Sequence, residues 1–310
     1  MFRQYLTKFW LKHKEKLQHL GKVSFIAFVA IIMMIALISN LSNFSFNYEQ
    51  PSRTYNPTYS IVTSNYLDEA EYKENNTVVD KFIDFCNNNN YESAYELLSD
   101  ECKKELYPSL TDFEEKYCKK YFSSKKQYNL QSWVNGEEYN TYKIRIIDDL
   151  LVTGDYSDSK KYEDYITIND EGKININGYI KNEKIDKAIE KDGIKIYIDE
   201  VNIYMDYEEY DINVTNNTDN KILLDTLKNN KRTLNVISSS NNIYPIMDMS
   251  YLDIMVNAKE SKTISLKFDK DYALLDTSAY IQFSQIISNY SEFIKDKENY
   301  NQIISIDMSI

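Results

Sequence analysis

The sequence predicts an α+β chain in three parts: a single N-terminal transmembrane helix, a domain with helices followed by an antiparallel sheet, and an all-β sandwich domain. Three observations support this prediction. Residues 23–39 contain no charged side chain. From residue 77, apolar residues recur at helical spacing, and after residue 126 they recur at every second position. Helices followed by consecutive antiparallel strands are typical of α+β folds.

The uncharged segment, residues 23–39, is predicted to span a membrane. Its 17 residues would form a helix about 25 Å long, close to the lower limit for crossing a bilayer. Six basic residues and one acidic residue precede it, whereas the rest of the chain contains 30 basic and 47 acidic residues. The positive-inside rule therefore predicts a single-pass protein of the cell membrane with a cytoplasmic N-terminus and extracytoplasmic C-terminal domains. The alternative is a cleaved signal peptide, but no A-x-A site follows the segment.

The basic cytoplasmic head, residues 1–22, is a candidate membrane-interface helix. Lys8, Lys12 and Lys16 form a row at i, i+4 spacing, and Trp10 belongs to an apolar row on another face. A basic amphipathic helix of this kind lies on an anionic leaflet with its aromatic side chains at headgroup depth. The alternative is that the lysines only enforce the topology. The lipid bilayer is the predicted partner in both interpretations.

Residues 40–76 are predicted to be an extracytoplasmic linker, because this polar segment contains Pro51 and Pro57 and shows no sustained periodicity. Short helices are predicted between Thr77 and Phe122. Ser99 caps the third, and a capping box of Thr111 and Glu114 opens the fourth. The residues expected to form one core under a curved sheet are Val78, Phe82, Ile83, Leu97, Leu98 and Phe113.

Antiparallel strands are predicted after Lys126. The Asn135-Gly136 pair follows an alternating stretch and is a strong hairpin signal. The strands of this meander are predicted at about 130–134, 138–153, 162–168 and 173–180. A second domain, residues 192–310, contains about seven short strands separated by turns, which is typical of a β-sandwich. They are predicted near 194–198, 207–214, 222–227, 233–237, 252–256, 263–268 and 280–287.

The helical segment carries a resemblance to a known family. Its pattern consists of a break at Asn87–Asn90, then Y-E-x-A-Y-x-L-L-S at 91–99 and L-Y-P-S-L-x-D-F at 106–113. Residues 77–182 resemble the nuclear-transport-factor-2-like, cone-shaped α+β domains found outside the cytoplasm of Gram-positive bacteria. The layout is similar to that of the bitopic subunits of conjugative type IV secretion channels, which implies a scaffold role. Many of those subunits carry two cone-shaped domains, whereas the second half of this chain differs.

A shorter resemblance concerns the predicted sandwich. The string Y-x-I-N-V-T-N-N-T, residues 210–218, resembles a strand and turn of bacterial immunoglobulin-like envelope domains. The abundance of Asn, Lys, Ile and Tyr together with only 6 glycines and 4 prolines indicates an AT-rich genome, as in low-GC Gram-positive bacteria. The acidic ectodomain argues against direct contact with nucleic acid, because phosphate contacts require clusters of Lys and Arg.

Catalytic and metal-binding patterns are sparse. His13 and His19 are the only histidines and belong to the head, so the ectodomain cannot supply a His-dependent triad or a His-ligated zinc site. The S-x-x-K matches at Ser123–Lys126 and Ser157–Lys160 lack the accompanying S-D-N and K-T-G motifs. No phosphate-binding glycine loop occurs. The sequence predicts that the chain is not an enzyme and holds no cofactor or metal.

Two further features remain as candidates. Cys86, Cys102 and Cys118 each lie on the apolar face of a predicted helix. Their odd number and apolar neighbours favour buried thiols over a disulfide or a redox role. Trp133 is the sole tryptophan of the ectodomain and is the candidate ligand contact, on the concave face of the sheet. The alternative is a core tryptophan covered by the helices.

The sequence thus predicts a non-catalytic, membrane-anchored envelope scaffold that interacts with other envelope proteins, with a conjugation or secretion channel as the assembly that its layout suggests. A homo-oligomer is compatible with this prediction. The alternative is an envelope ligand-binding or sensor module that recognises a cell-wall component or a peptide.

Overall fold

The computed structural model describes residues 60–63, 65–136, 138–148, 162–228 and 231–310. They belong to one compact unit, Pro51–Ile310. The predicted head, the predicted transmembrane segment at 23–39 and the linker up to residue 59 lie outside the described residues. None of the helices formed by the described residues is both long enough and apolar enough to cross a membrane.

The described residues form an α+β fold that consists mostly of antiparallel sheet, which confirms the predicted class. We divide it into a helical half, residues 65–178, and a two-sheet half, residues 179–310. A π-helical turn, Glu114–Cys118, joins the fourth and fifth helices. The helices are α1 (Glu69–Asn87), α2 (Tyr91–Glu96), α3 (Asp100–Leu106), α4 (Leu110–Phe113), α5 (Lys119–Tyr121) and α6 (Tyr290–Phe293).

The first helix begins at Glu69, eight residues before the predicted start at Thr77. Asp68 caps it, because its side chain accepts a hydrogen bond of 2.8 Å from the main-chain N–H of Ala70. The first turns bury Asn75 and Asn76 as well as Tyr72. Since two of these three inward residues are polar, the apolar periodicity gives no helical signal before Thr77. The linker predicted at 40–76 therefore extends too far.

One of the two predicted helix caps forms as expected. The Ser99 cap is confirmed, because its hydroxyl accepts a hydrogen bond of 3.0 Å from the N–H of Cys102. The fourth helix, however, is capped by Ser109 and not by Thr111. The Ser109 hydroxyl accepts from the N–H of Asp112 at 3.1 Å and donates to its carboxylate at 2.6 Å. Two overlapping cap motifs occur here, and the earlier one forms the helix start.

The first sheet is a four-stranded antiparallel meander in the order β1-β2-β3-β4. Its helix-facing side carries Leu130, Ile144 and Ile166, which pack against α1 and the shorter helices in one core. Phe82, Ile83, Leu98 and Phe113 are fully buried in that core, whereas Val78 and Leu97 pack at its margin. The strands are β1 (Lys126–Asn135), β2 (Tyr139–Asp148), β3 (Tyr162–Asn169) and β4 (Ile174–Asn175).

Strand β5 (Tyr179–Lys191) connects the two halves. Its first residues, Tyr179 and Ile180, are buried, and the strand continues through an irregular register at Lys184–Lys187 to the turn at Asp192-Gly193. The predicted boundary between 182 and 192 therefore falls inside a strand. The sequence does not reveal this strand because Asn182–Lys191 is rich in charged residues and lacks apolar alternation.

The two-sheet half contains two larger sheets and a two-stranded pair, Leu227–Lys228 with Lys231–Arg232. The second sheet has the order β14-β7-β6-β5, and the third has the order β12-β11-β15-β8-β13 with β16 also paired to β15. Ile196 and Val214 of the second sheet share one core with Val236 and Phe283 of the third. The remaining strands are β6 (Ile194–Tyr204), β7 (Glu208–Asn216), β8 (Ile222–Leu223), β9 (Leu227–Lys228), β10 (Lys231–Arg232), β11 (Leu234–Ser238), β12 (Ile243–Pro245), β13 (Met255–Val256), β14 (Glu260–Phe268), β15 (Ser278–Ile287) and β16 (Ile303–Ser309).

Candidate functional site

A cavity of about 270 Å³ lies in the two-sheet half. Its walls come from β5, β6 and β7 of the second sheet, from the loop between β14 and β15, from the start of β15 and from Ile310. We call it the Glu208 pocket. It is lined by Lys181, Glu183, Ile185, Val201, Ile203, Glu208, Tyr210, Lys270, Tyr272, Leu275, Asp276, Thr277, Ser278 and Ile310.

A buried ion pair forms part of the pocket wall. The ammonium group of Lys270 donates to Oε1 of Glu208, and the two side chains are only 7% and 6% exposed. The other carboxylate oxygen, Oε2, accepts hydrogen bonds from the Tyr210 hydroxyl at 2.7 Å and the Ser278 hydroxyl at 2.8 Å. Burial, followed by the charge of Glu208, holds the pKa of Tyr210 well above its usual value. The phenol therefore remains a hydrogen-bond donor at neutral pH.

The remaining charges of the pocket also have partners. Lys181 forms an ion pair with Glu183 on β5. Asp276 accepts hydrogen bonds from Asn242 Nδ2 at 2.8 Å and from the Tyr244 hydroxyl at 2.9 Å. Hydrogen bonds, of which the one from Ser238 has the largest effect, hold the pKa of Asp276 below its usual value. The pocket thus presents apolar walls together with charges that are already neutralised or solvated by neighbouring side chains.

A short 3₁₀ turn, Tyr272–Leu274, borders the pocket. Asp271 caps it by accepting from the N–H of Ala273 at 2.7 Å, and the N–H of Tyr272 donates to the Met205 carbonyl at 2.9 Å. The turn ends at Leu275, which has a φ of 50° in the left-handed region. Residues with bulky side chains rarely adopt this conformation. Leu274 and Leu275 are 59% and 54% exposed, but only Leu275 lines the pocket.

Side chains alternate between the two faces of β7, which explains why the Glu208 carboxylate faces the pocket. Glu208 and Tyr210 point into the two-sheet half and are buried, whereas Glu209 points to the outer face and contacts Ser265 and Lys267. Because adjacent residues on a strand point to opposite faces, the two neighbouring carboxylates do not converge. The sequence does not reveal the pocket, because Lys270 lies 62 residues further along the chain.

Trp133 lies at the contact between the two halves. Its ring is 5.8 Å from the Tyr165 ring, and the ammonium group of Lys143 is 5.3 Å from its centre. These neighbours occupy the side of the first sheet opposite to Leu130 and Tyr142, which face the helices. Trp133 thus lies on the side of the first sheet that faces away from the helices, where it packs against the core of the two-sheet half, so the helices do not cover it. Alternation along β1 and the irregular register between Ser132 and Val134 account for this placement.

The other residues singled out from sequence have structural surroundings. Lys126 contacts the Ser124 hydroxyl at 3.0 Å and the Asp148 carboxylate, while the S-x-x-K interpretation required Ser123. The second S-x-x-K match, Ser157–Lys160, lies outside the described residues. The head residues Lys8, Trp10, Lys12 and Lys16 also lie outside them.

The three cysteines are free thiols in the core of the helical half, where the sequence placed them. Burial raises the pKa of Cys102 to about 12. Burial, together with a hydrogen bond to Cys118, also raises the pKa of Cys86. Such thiols carry little thiolate at neutral pH and are poor nucleophiles. Within the described ranges, no cluster of three or more His, Cys, Asp or Glu side chains is arranged to hold a metal ion.

Comparisons with known proteins give little further information. No protein-family model matches this chain. No curated protein matches it either. Among solved structures, a conserved hypothetical protein from Bacillus anthracis is similar to 33% of this chain and to 89% of its own length, with 10% sequence identity and a TM-score of 0.25.

Proposed function

We propose that this chain is a non-catalytic, membrane-anchored envelope scaffold that binds other envelope proteins through its extracytoplasmic domains. The observation that carries this proposal is the charge asymmetry around residues 23–39: a net charge of +5 precedes this uncharged segment, and a net charge of −17 follows it. Such a sequence is typical of a single-pass protein with a cytoplasmic head. The lipid bilayer is then one partner and envelope proteins are the others.

The finer fold assignment belongs to the same proposal. Helices packed on one side of a four-stranded antiparallel sheet support a cone-shaped, nuclear-transport-factor-2-like assignment for the helical half. Two antiparallel sheets that share a core support an immunoglobulin-like sandwich for the rest. Both folds host many functions, so the assignment supports the scaffold role by analogy only. A conjugation or secretion channel is the assembly that this layout resembles.

Two of the sheet edges are poor sites for pairing with another protein. Strand β5 carries a register irregularity between Lys184 and Lys187, and charged side chains line its exposed part. The edge strand β12 is only three residues long and ends in Pro245. Bulges, charges and proline all oppose strand addition at an edge. A partner is therefore more readily accommodated by a face or a pocket than by these edges.

Affinity purification tests the proposal. The full-length tagged protein, solubilised in detergent from its native membrane, should recover other membrane or wall-associated proteins in a defined ratio. An irrelevant single-pass protein with the same tag serves as the control. Recovery of the bait alone, together with hydrolysis of wall fragments by the purified protein, would contradict the proposal and support an enzyme.

The second candidate is a ligand-binding or sensor module of the envelope. The Glu208 pocket favours it, because it combines aliphatic and aromatic side chains with polar groups that would orient a small ligand. The two candidates differ in what accompanies the protein through purification. A scaffold retains protein partners in defined ratio, whereas a sensor binds a peptide or wall fragment without them.

A further inference from the structure

We propose that the Glu208 pocket binds one uncharged, apolar side chain presented by a partner protein, and that Lys270 donates a hydrogen bond to a main-chain carbonyl oxygen beside that side chain. The inference rests on the proposed function, since it names the site through which the scaffold holds a protein. Four features of the pocket lead to it: its size, its charge balance, the free donors of Lys270 and the conformation of Leu275.

The size of the pocket favours a single residue. Its volume of about 270 Å³ is smaller than the roughly 300–1,000 Å³ that encloses a drug-sized ligand. Ile185, Val201 and Ile203 give it aliphatic walls, and Tyr272 adds an aromatic ring. An apolar side chain fills such a space and removes its own surface from water, which is the main favourable contribution at an anchor residue.

The charge balance of the pocket favours an uncharged occupant. Lys270 is paired with Glu208, Lys181 is paired with Glu183, and Asp276 receives hydrogen bonds from neighbouring residues. A charged occupant would have to separate one of these pairs or remain without a counter-charge inside the pocket. Both are unfavourable, because an uncompensated buried charge is strongly destabilising. A neutral side chain requires neither.

Lys270 supplies the polar contact. An ammonium group has three N–H donors, and within the described part of the chain the Lys270 ammonium donates to one acceptor, Glu208 Oε1. The side chain is 7% exposed and lines the pocket. A carbonyl oxygen is the acceptor that suits the remaining donors without adding a second negative charge beside Glu208, Glu183 and Asp276. Every residue of a partner protein carries such an oxygen next to its side chain.

Leu275 extends the apolar wall to the surface. A γ-branched residue in the left-handed region is strained, and the exposed side chain gains little from packing in the free protein. Strain that is not offset by packing is typical of residues held in place for binding. Leu275 is therefore assigned as the contact at the entrance to the pocket. Leu274, its equally exposed neighbour, does not line the pocket and provides a matched control.

The first test compares two substitutions in the full-length tagged protein. Leu275→Asp adds a charge at the entrance, whereas Leu274→Asp adds the same charge one residue away. Aspartate tolerates the left-handed region better than leucine does, so Leu275→Asp should melt no lower than the wild type. The wild type and Leu274→Asp should retain their protein partners, and Leu275→Asp should lose at least nine-tenths of them. Equal retention by both variants would overturn the pocket assignment while leaving the proposed function intact.

The second test does not depend on finding the partner. The probe is N-acetyl-leucine N-methylamide, added to full-length protein with methyl-labelled isoleucines. The methyl signals of Ile185 and Ile203 should shift saturably, with half-saturation at about 1 mM, as expected for so small a ligand. The signal of Ile83, in the helical core, should not move. Leu275→Asp should weaken the response at least tenfold.

Charged and sugar probes complete this second test. N-acetyl-lysine N-methylamide and N-acetylglucosamine should shift neither Ile185 nor Ile203. A response to the sugar alone would replace the peptide assignment with a carbohydrate site. An equal response to the lysine probe, or no response to the leucine probe, would overturn the proposal. If the wild-type protein recovers no partner but still binds the leucine probe, the scaffold function fails and the pocket assignment stands.

Discussion

Asp164 in β3 accepts a hydrogen bond of 2.8 Å from the main-chain N–H of Asn177, at the turn that leads into β5. The N–H of Tyr165 donates to the other carboxylate oxygen at 2.7 Å. Asn177 and Gly178 both have positive φ angles, 57° and 68°. A single buried carboxylate thus holds the left-handed turn from which the connecting strand starts. Burial, partly opposed by these N–H donors, raises the pKa of Asp164 to about 6.

This raised pKa predicts how stability depends on pH. Between about pH 4 and pH 6 the folded protein binds more protons at Asp164 than the unfolded chain does, so the free energy of unfolding should decrease as the pH rises. The stabilising contribution is complete below pH 4 and should be lost by about pH 7, with a total change of about 2–3 kcal/mol. Urea unfolding of the wild type and Asp164→Asn at several pH values measures it.

The difference in the free energy of unfolding between the wild type and Asp164→Asn separates the contribution of Asp164 from those of the other acidic residues. The wild type should be favoured over Asp164→Asn most strongly near pH 4, and this advantage should shrink as the pH approaches 7. A difference that stays constant across the range would show that the Asp164 pKa is not raised in the folded protein.

Adjacent asparagines on α1 should respond in opposite ways to substitution by leucine. Asn75 Nδ2 donates to the Tyr142 hydroxyl at 3.0 Å, whereas neither amide atom of Asn76 has a hydrogen-bond partner among the described residues, although both are buried. Asn76→Leu should raise the free energy of unfolding by about 1 kcal/mol or more, because it removes an unsatisfied amide. Asn75→Leu should lower it by about 1–3 kcal/mol. Equal losses in both variants would indicate a polar partner bound to Asn76.

Phe82 is fully buried, and its ring lies 6.2 Å from Phe113 and 5.9 Å from Tyr117. Phe82→Ala should therefore lower the free energy of unfolding by about 3–5 kcal/mol. Phe85→Ala, on the same helix but at the margin of the core, is the matched control and should have a clearly smaller effect. A loss below about 1 kcal/mol for Phe82→Ala would show that this helix face is exposed.

Breaking the buried ion pair between Glu208 and Lys270 should strongly lower the stability of the protein. Lys270→Met leaves the Glu208 carboxylate without its cation and should lower the free energy of unfolding by about 3–5 kcal/mol. Adding Glu208→Gln to this variant should restore part of the loss, because it removes the uncompensated charge. The control is Lys73→Met, which breaks a surface pair with Glu69 and should change stability little. No recovery in the double variant would contradict the pairing of Glu208 with Lys270.

The sequence revealed those elements whose periodicity is apolar. Phe82, Ile83 and Cys86 mark the core face of α1, and the alternation after Lys126 marks the meander. The start of α1 could not be predicted, because buried Asn75 and Asn76 look like surface residues in the sequence. Strand β5 is hidden for the same reason. It lies at the edge of its sheet, and the charged side chains along its exposed part resemble those of a loop.

The candidate site was less accessible to sequence reasoning than the fold. Nothing in the sequence around Glu208 indicates a site, because its partner Lys270 and the Leu275 turn lie more than sixty residues away along the chain. Only the pairing of β7 with β14 brings them together. Trp133 stands out in the sequence because of its rarity, but rarity does not specify which face of a strand a side chain occupies. The pocket became visible only once the register of the strands was known.

Cross-linking of intact protoplasts with a membrane-impermeant, amine-reactive reagent tests whether these domains lie outside the cytoplasm and bind another envelope protein. Exposed lysines such as Lys104 and Lys184, whose side chains are 71% and 61% exposed, face the medium if the domains are extracytoplasmic. We expect adducts of defined mass that contain this chain and a second envelope protein, while a cytoplasmic control protein stays unmodified. A chain that reacts only after the protoplasts are lysed, or that never links to another protein, would contradict it.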